Sequence, residues 1–571
     1  MRLSIVKSPN AKQFYVIKSY INKNGKRTSK IVEKLGNENE VLQKSKGEDP
    51  IVWAKKYIET LNKKEKEETL EIITKFSQSN LIKKNIQTSF NVGYLFIQDI
   101  YYKLKLNEIC KEISQKYKFE YDLDSILSRL IYTRILEPSS KLSSFEASKK
   151  FLEQPNFELQ HIYRALEVIA KETENIEAEV YKNSLNLVNR NTKILYYDCT
   201  NYFFETEEPE GIKQYGVSKE HRPNPIVQMG LFMDGDGFPL AFSINSGNTN
   251  EQVTLKPLEQ QIIKDFGLSK FVVCTDAGLA SNENRVFNNI QNRSFVVTQS
   301  LKKIKGHLRE WALSPEGWRK NNSKEIVNLE NIDNSSNSDD VFYKERWIKE
   351  NGLEQRLIVS YSPKYAAYQK AIRNSQILRA QELINNPSKI AKSRQNDPKR
   401  FVTSKSITND GEIAEKRLVS LNEEAIKNEE MFDGFYAVCT TLEDDISEII
   451  KVNKRRWEIE ESFRILKSEF KARPVYLKND DRIKAHFTVC FLSLVIYRIL
   501  ESKLESKYTS AEIMECLRNM NILEIKGNDY IPAYTRTDLT DNLHELFSFR
   551  TDTEIVTLKS LKKIFKQTKN K

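Results

Sequence analysis

Two short apolar runs that each end in an aspartate constrain this chain more than any other feature. Residues 194–198 read ILYYD and residues 271–276 read FVVCTD. An unbroken apolar run of this length, bounded by polar residues, is the pattern of a strand buried on both faces. A carboxylate is not left in such an interior without a partner. Asp198 and Asp276 are therefore expected at strand ends, facing a cleft. Taken singly, either acid is more simply explained as a cap on a neighbouring helix or a group facing water. Between and after them the pattern alternates. IVQMGLFM (226–233), the turn DGDG and PLAFSI (239–244) read as an antiparallel pair. VTLKPLEQQIIKDF (253–266) reads as an amphipathic helix, SNENRVFNNI (281–290) as a second helix and SFVVTQ (294–299) as a further strand. This order predicts an α/β fold with a mixed sheet covered by helices.

The rest of the chain divides around that block. With 571 residues, four domain-equivalents is a fair prior. Residues 1–90 are expected to hold a hairpin over 13–36, turning at Asn24-Gly25, and a Lys/Glu-rich helix over 51–85. Residues 91–190 carry helical apolar spacing and are read as a helical module, a candidate for binding DNA ends. Residues 191–300 and 441–505 form the catalytic block. Residues 301–440 break the pattern and are read as a β-rich insertion. It contains a polar loop at 331–340, strands at 341–348, 353–361 and 435–442, and helices near 364–385 and 410–428. A mixed tail, 506–571, is a candidate dimerisation element.

Composition limits the function. Hydrophobic residues at 39% and aromatics at 10% exclude a disordered chain, and only 18 Gly and 15 Pro exclude a collagen-like one. Lys and Arg number 90 against 79 Asp and Glu, a net +11 that favours a polyanionic partner. The longest uncharged stretch of note, Phe487 to Tyr497, falls short of the roughly 20 residues a bilayer requires. MRLSIVKSPN has no apolar signal segment. Six scattered Cys without a CxxC point to reduced core thiols. The expected location is cytoplasmic, associated with the nucleoid, with no membrane contact.

A third acid changes the weight of the first two. In VNKRRWEIEESFRILKSEFK (452–471), Ile459, Phe463, Leu466 and Phe470 share one helical face. Arg456, Glu460, Arg464 and Lys467 follow an adjacent face, so one acid sits in a row of bases. A solvated face of i, i+4 ion pairs would look the same. Two strand acids and one helix acid nevertheless suit two-metal phosphoryl transfer, since three close carboxylates repel unless cations lie between them. Oxygen donors favour Mg²⁺, with Mn²⁺ as a substitute, over zinc. The flanking bases would hold phosphates.

These residues resemble the signatures of DDE transposases of the IS4-like superfamily, most closely its IS1634 group. Asp198-Cys199-Thr200 matches the first motif and TDAGLASNENR (275–285) the second, with Asp276 as its acid. Arg456, Glu460 and Lys467 fit a third signature of Tyr, two residues, Arg, three, Glu, six, Lys, with Asn453 at the tyrosine position. Glu461 competes with Glu460, but its spacing to both bases is wrong by one. YGVSKEHRPNPIVQMGL (215–231) and SGNTNE (246–251) also resemble stretches of that group. The resemblance covers about 190–500. It implies an RNase H-like fold with the third acid on a helix beyond a β-rich insertion. It implies Asp198, Asp276 and Glu460 as catalytic metal ligands for two Mg²⁺, and Thr200, Arg222, Arg456, Arg464 and Lys467 on DNA. His221, in the basic SKEHRP loop, either faces the DNA as well or is a simple loop histidine. It further implies a homodimer on terminal inverted repeats of double-stranded DNA, hydrolysis freeing a 3′-OH, and strand transfer of that 3′-OH into target DNA. In relatives the insertion holds a flipped end base near an aromatic, a role open to Trp311, Trp318 or Trp347. An RNase H-like nuclease without strand transfer, or a catalytically dead DNA-binding derivative, are the alternatives.

Other motifs fail on inspection. Gly211 to Ser218 has P-loop spacing, but Val217 stands where lysine is required. Asp234-Gly-Asp236-Gly lacks the rest of an EF-hand loop and is better read as a hairpin turn. The five His form no HExxH, and no GxSxG supports a serine hydrolase.

Overall fold

The computed structural model describes residues 1–8, 11–21, 26–45, 47–68, 77–320, 323, 325–332, 339–385, 398–406, 417–525 and 529–569. The chain forms two compact units, Met1–Ile86 and Gln87–Lys571.

The first unit is a three-stranded antiparallel sheet, β1 (Arg2–Ser8), β2 (Ala11–Ile21) and β3 (Arg27–Asn37), followed by α1 (Glu38–Lys44) and α2 (Pro50–Glu68). Phe14, Val16, Leu35, Val41, Ala54 and Ile58 are its core. Asn37 starts α1 by accepting from the Glu40 amide at 2.9 Å, while the Glu40 carboxylate accepts from the Asn37 amide at 3.0 Å. The expected hairpin is β2–β3, and β1 is an additional strand. The Asn24-Gly25 turn lies outside the described residues. The helix expected over 51–85 is α2; residues 69–76 lie outside the described residues, and 77–86 are not helical.

The second unit opens with β4 (Ser89–Asn91) and six helices: α3 (Tyr94–Lys103), α4 (Leu106–Tyr117), α5 (Leu123–Leu136), α6 (Lys141–Ser148), α7 (Leu159–Lys171) and α8 (Thr173–Ser184). The sheet then begins with β5 (Ile194–Phe203), β6 (Ile226–Asp234) and β7 (Pro239–Ser246), followed by α9 (Leu255–Asp265), β8 (Val272–Thr275), α10 (Asn282–Phe287) and β9 (Ser294–Thr298). Beyond it come α11 (Gly306–Leu313), β10 (Trp318–Lys320), β11 (Ile326–Val327), β12 (Phe342–Glu350), β13 (Leu353–Tyr361), α12 (Pro363–Asn385), β14 (Val402–Ser406), β15 (Arg417–Leu421), α13 (Glu423–Glu430) and β16 (Phe435–Thr440). Three helices follow, α14 (Ile446–Lys454), α15 (Trp457–Arg464) and α16 (Asp480–Lys503). The chain ends with α17 (Ser510–Asn519), β17 (Asn521–Ile525), β18 (Asp529–Pro532), α18 (Asp538–Phe547) and α19 (Leu558–Thr568).

Ten strands make one sheet in the order β11-β10-β12-β13-β16-β9-β8-β5-β6-β7. β5, β6 and β7 are antiparallel neighbours, while β8 and β9 run parallel to β5. That is the mixed α/β arrangement expected of an RNase H-like domain. Within 301–440, β16 pairs with β9, and β13, β12 and β10 extend the same edge of the main sheet, while β14 and β15 form a separate two-stranded sheet. Residues 417–421, expected to be helical, instead form β15 paired to β14, and 423–430 is helix; 410–416 lie outside the described residues. The expected polar loop has Leu329–Asn331 as a short 3₁₀ turn, with 333–338 outside the described residues.

Helix α16 ties the helical part to the sheet. It packs on α5, α7 and α3 on one side and on β7 on the other. The Phe491 ring packs tilted at 5.1 Å from Phe242 of β7, and that of Phe487 at 4.8 Å from Tyr202 of β5. It is the one described helix long and apolar enough by composition to cross a bilayer, which the sequence did not lead us to expect. Yet 89% of its apolar window is buried inside the protein. A helix apolar on every face is what a core position between two layers requires. Phe491→Ala should therefore cost about 3–5 kcal/mol of stability, measurable by urea unfolding. In the tail, Phe547, Phe549, Leu561 and Ile564 are buried in the core shared with α3. Of the six thiols, all are free, five are buried and Cys516 is partly exposed.

Candidate active site

Asp198 does not end its strand. β5 continues to Phe203, and Asp198 sits opposite Leu231 of β6. On its other side, Ile194, Leu195 and Tyr196 pair in parallel with Val272, Val273 and Cys274. The same register carried two residues further sets Asp198 against Asp276, which follows the end of β8. Adjacent strands are about 5 Å apart, so the two carboxyl groups leave neighbouring strands on one face. Two residues earlier on that face, Tyr196 donates to the Val452 carbonyl at 2.9 Å and Cys274 approaches Asn453 at 3.8 Å. The acids thus open onto the side of the sheet covered by α14 and α15.

Burial pushes the Asp198 carboxyl up to about 6, with the charge on Asp276 adding to the rise and Lys219 and Arg456 opposing it. The Cys199 amide donates to its Oδ1 at 2.7 Å. Asp276 is fixed by the Leu279 amide at 3.0 Å, and its loop is tied down by Gln252, which donates to Gly278 at 3.0 Å. Asn284 closes the loop by donating to Leu279 at 3.0 Å.

Bases ring the pair. Arg456 donates to Thr298 at 3.0 Å, and Thr298 shares a 2.7 Å hydrogen bond with Tyr436. Asn453 donates to the same Tyr436 hydroxyl at 2.7 Å. Lys219 donates to the Cys199 carbonyl and pairs with Glu251 at 3.3 Å. Its ammonium is raised; burial opposes the rise, and the charges of Asp198 and Glu251 carry it. Lys467 is pushed down to about 8 by burial and by Lys219, with Asp198 pulling the other way. It also faces Glu220 at 3.7 Å.

Glu460 stands apart from the aspartates. Its carboxylate is 63% exposed and lies 3.8 Å from Arg456, which is itself within electrostatic reach of Asp198. Arg456 therefore interacts with both the helix acid and the sheet acid. Glu461 points elsewhere, paired with Arg464 at 2.8 Å and near Arg498. The row of bases expected on one helix is divided for a physical reason. Residues 444–471 form α14, a turn at Arg455-Arg456, α15 and then a π turn over Ile465–Glu469. A π turn resets the phase of the side chains beyond it. Arg456 and Lys467 reach toward Asp198, whereas Arg464 is held by Glu461 and Ser510. Ile459, Phe463, Leu466 and Phe470 are all buried, as the spacing predicts.

The remaining expected contacts are scattered. Thr200 is buried in β5, two residues past Asp198. His221 is exposed with φ of 56°, and Arg222 lies 4.1 Å over the Phe203 ring. Lys219, Tyr436 and Glu251 were not singled out from the sequence. The stretches YGVSKEHRPNP and SGNTNE contain Lys219 and Glu251, so the signal was present but unresolved; Tyr436 left none. A cleft of about 400 Å³ opens beside Glu460, lined among others by Tyr365, Tyr436, Asn453, Arg456 and Trp457. Of the tryptophans expected near a base, Trp318 is buried in the core of the sheet extension, Trp311 is partly buried under Lys344, and Trp347 is 46% exposed.

The donor set suits a hard divalent cation. Asp198 and Asp276 offer paired oxygens whose mutual repulsion an ion would relieve. Among the described residues, no three carboxylate, imidazole or thiol groups are close enough to share one ion. The two aspartates supply oxygens of the kind such an ion takes, and Glu460 is paired with Arg456.

The family model described as Transposase DDE domain matches residues 202–496. The chain belongs to that family. No curated protein matches it. Among solved structures it is similar to a chain of the "piggyBac transposase synaptic complex with hairpin DNA", at 9% identity and a TM-score of 0.34 over 83% of this chain and 84% of that one.

Proposed function

We propose that the protein is a transposase that cleaves DNA at the ends of an insertion sequence and joins the freed 3′-OH to target DNA, nearest in type to the IS4-like, IS1634-group enzymes. The observation that supports this is the juxtaposition of Asp198 and Asp276 on neighbouring parallel strands, with Arg456 and Lys467 acting on Asp198 and Glu460 paired to Arg456. Asp198 and Asp276 would hold Mg²⁺ between them, and Glu460 would complete the set by exchanging Arg456 for the metal. Bound there, the ions would activate the attacking oxygen and stabilise the leaving one. Arg456, Lys467 and Lys219 would then bind the phosphates flanking the scissile bond, with no base-specific readout asked of them. Two copies would assemble on the paired inverted repeats.

A joining assay separates this from a nuclease. Given a pre-cut end with a 3′-OH and a target duplex, the protein should produce joined products with Mg²⁺; a nuclease would leave the end unjoined. Cleavage should also depend on pH through Asp198. Its carboxyl must be ionised to bind metal, and burial sets it at about 6. Single-turnover cleavage should fall roughly tenfold per pH unit below that value, with the midpoint moving lower as Mg²⁺ is raised. A flat profile from pH 5 to 8 at low Mg²⁺ would remove Asp198 from metal binding.

A further inference from the structure

A second basic cluster lies outside the carboxylate site. A cleft of about 400 Å³ opens between the turn entering α6 and residues 471–477, beside the first turns of α16. Lys141, the first residue of α6, is 5% exposed, and its Nζ has no hydrogen-bond partner. Arg134, also buried, donates to the Phe470 carbonyl at 3.0 Å and to Ser139 at 3.1 Å, and its Nε is unpartnered. His486 completes the wall, with Nε2 3.1 Å from the Ala472 carbonyl. The groups acting on Lys141 are Arg134 and Cys490, and those acting on His486 are Lys141, Arg134 and the Ala472 carbonyl. No carboxylate is among them.

Two buried cations thus share a cleft whose lining, among the described residues, includes no carboxylate. Burial, with Arg134 adding to it, pushes the Lys141 ammonium down to about 7. An uncompensated buried charge is costly, and a fold keeps one where an anion arrives to pair with it. The same place is the start of an eight-residue helix, where Ser140 accepts from the Ser143 amide at 3.2 Å. Free amides at a helix start favour a multivalent oxyanion. Exposed Lys471 stands at the rim.

We infer that this cleft binds a phosphate group, held by Lys141, Arg134 and the first turn of α6. It is linked to the carboxylate site through Glu220, which pairs with Lys467 at 3.7 Å and with Arg473 of this cleft. A DNA strand bound at the carboxylates is one source of such a phosphate. That source rests on the transposase reading; phosphate binding itself does not.

The test is thermal unfolding of the full chain in inorganic phosphate, against chloride at equal ionic strength. The wild type should gain Tm with phosphate, and Lys141→Met and Lys141→Gln should bind it at least tenfold more weakly, as read from the Tm series. No phosphate-specific gain in the wild type overturns the inference whether or not the variants fold; an equal gain in folded variants does so too. The source is read from duplex binding. A salt slope smaller by about 0.9 in Lys141→Met marks a DNA phosphate. An unchanged slope with the phosphate response lost marks the free ion as the ligand. Loss of transposition activity for other reasons would leave the phosphate titration unaffected.

Discussion

Asp198→Asn should abolish cleavage while making the metal-free protein more stable. The activity loss is expected to be at least about a thousandfold, since a metal centre supplies several kcal/mol to phosphoryl transfer. The stability gain follows from the buried carboxyl. Its value of about 6 in the fold, against an ordinary 3.8, means that the folded state holds the proton more tightly than the unfolded chain. Below pH 3.8 the group is neutral in both states and carries no penalty. The penalty grows as pH rises and is complete above about 6, where it amounts to roughly 3 kcal/mol. An Asn at 198 keeps an oxygen for the Cys199 amide and removes the charge. Urea unfolding without divalent ions should show a gain of about 2–3 kcal/mol at pH 7.5 that vanishes near pH 4. A loss of stability at pH 7.5 would mean that Arg456 and Lys219 already compensate the carboxylate.

Glu460→Ala should also abolish cleavage and leave end binding intact, whereas Glu461→Ala should stay within a few-fold of wild type. The two acids are adjacent in sequence but have different partners. Glu460 pairs with Arg456 and lines the cleft with Tyr436 and Asn453; Glu461 is held by Arg464 and sits near Arg498. A paired surface carboxylate of the second kind contributes about 0–1 kcal/mol. A Glu460→Ala protein that cleaves normally, with Glu461→Ala inactive, would transfer the role.

Much of this was legible because the strands concerned are buried on both faces. ILYYD and FVVCTD are unbroken apolar runs, and an acid at the end of such a run stands out. The runs did not show how far β5 continues: CTNYF mixes polar and apolar residues without a clear period and carries no end signal. The joining of β10, β12, β13 and β16 to the main sheet is a long-range pairing that no local periodicity encodes. The π turn at 465–469 is likewise invisible to a 3.6-residue pattern, so Arg464 and Lys467 looked equivalent and are not. Lys219 comes from a polar loop whose path is set by Asn201, which holds Val217 at 3.1 Å and accepts from the Lys219 amide at 3.2 Å. Such a strap leaves no compositional trace.

The central claim is that Asp198, Asp276 and Glu460 together hold the metal ions of one site. Fe²⁺ can stand in for Mg²⁺ on oxygen ligands, and with ascorbate and peroxide it cuts the polypeptide beside the bound ion. In the wild-type protein the account predicts cuts near residues 198, 276 and 460, suppressed by excess Mg²⁺ and lost in Asp198→Asn. Cuts near 198 and 276 that never include 460, even with DNA bound, would contradict it.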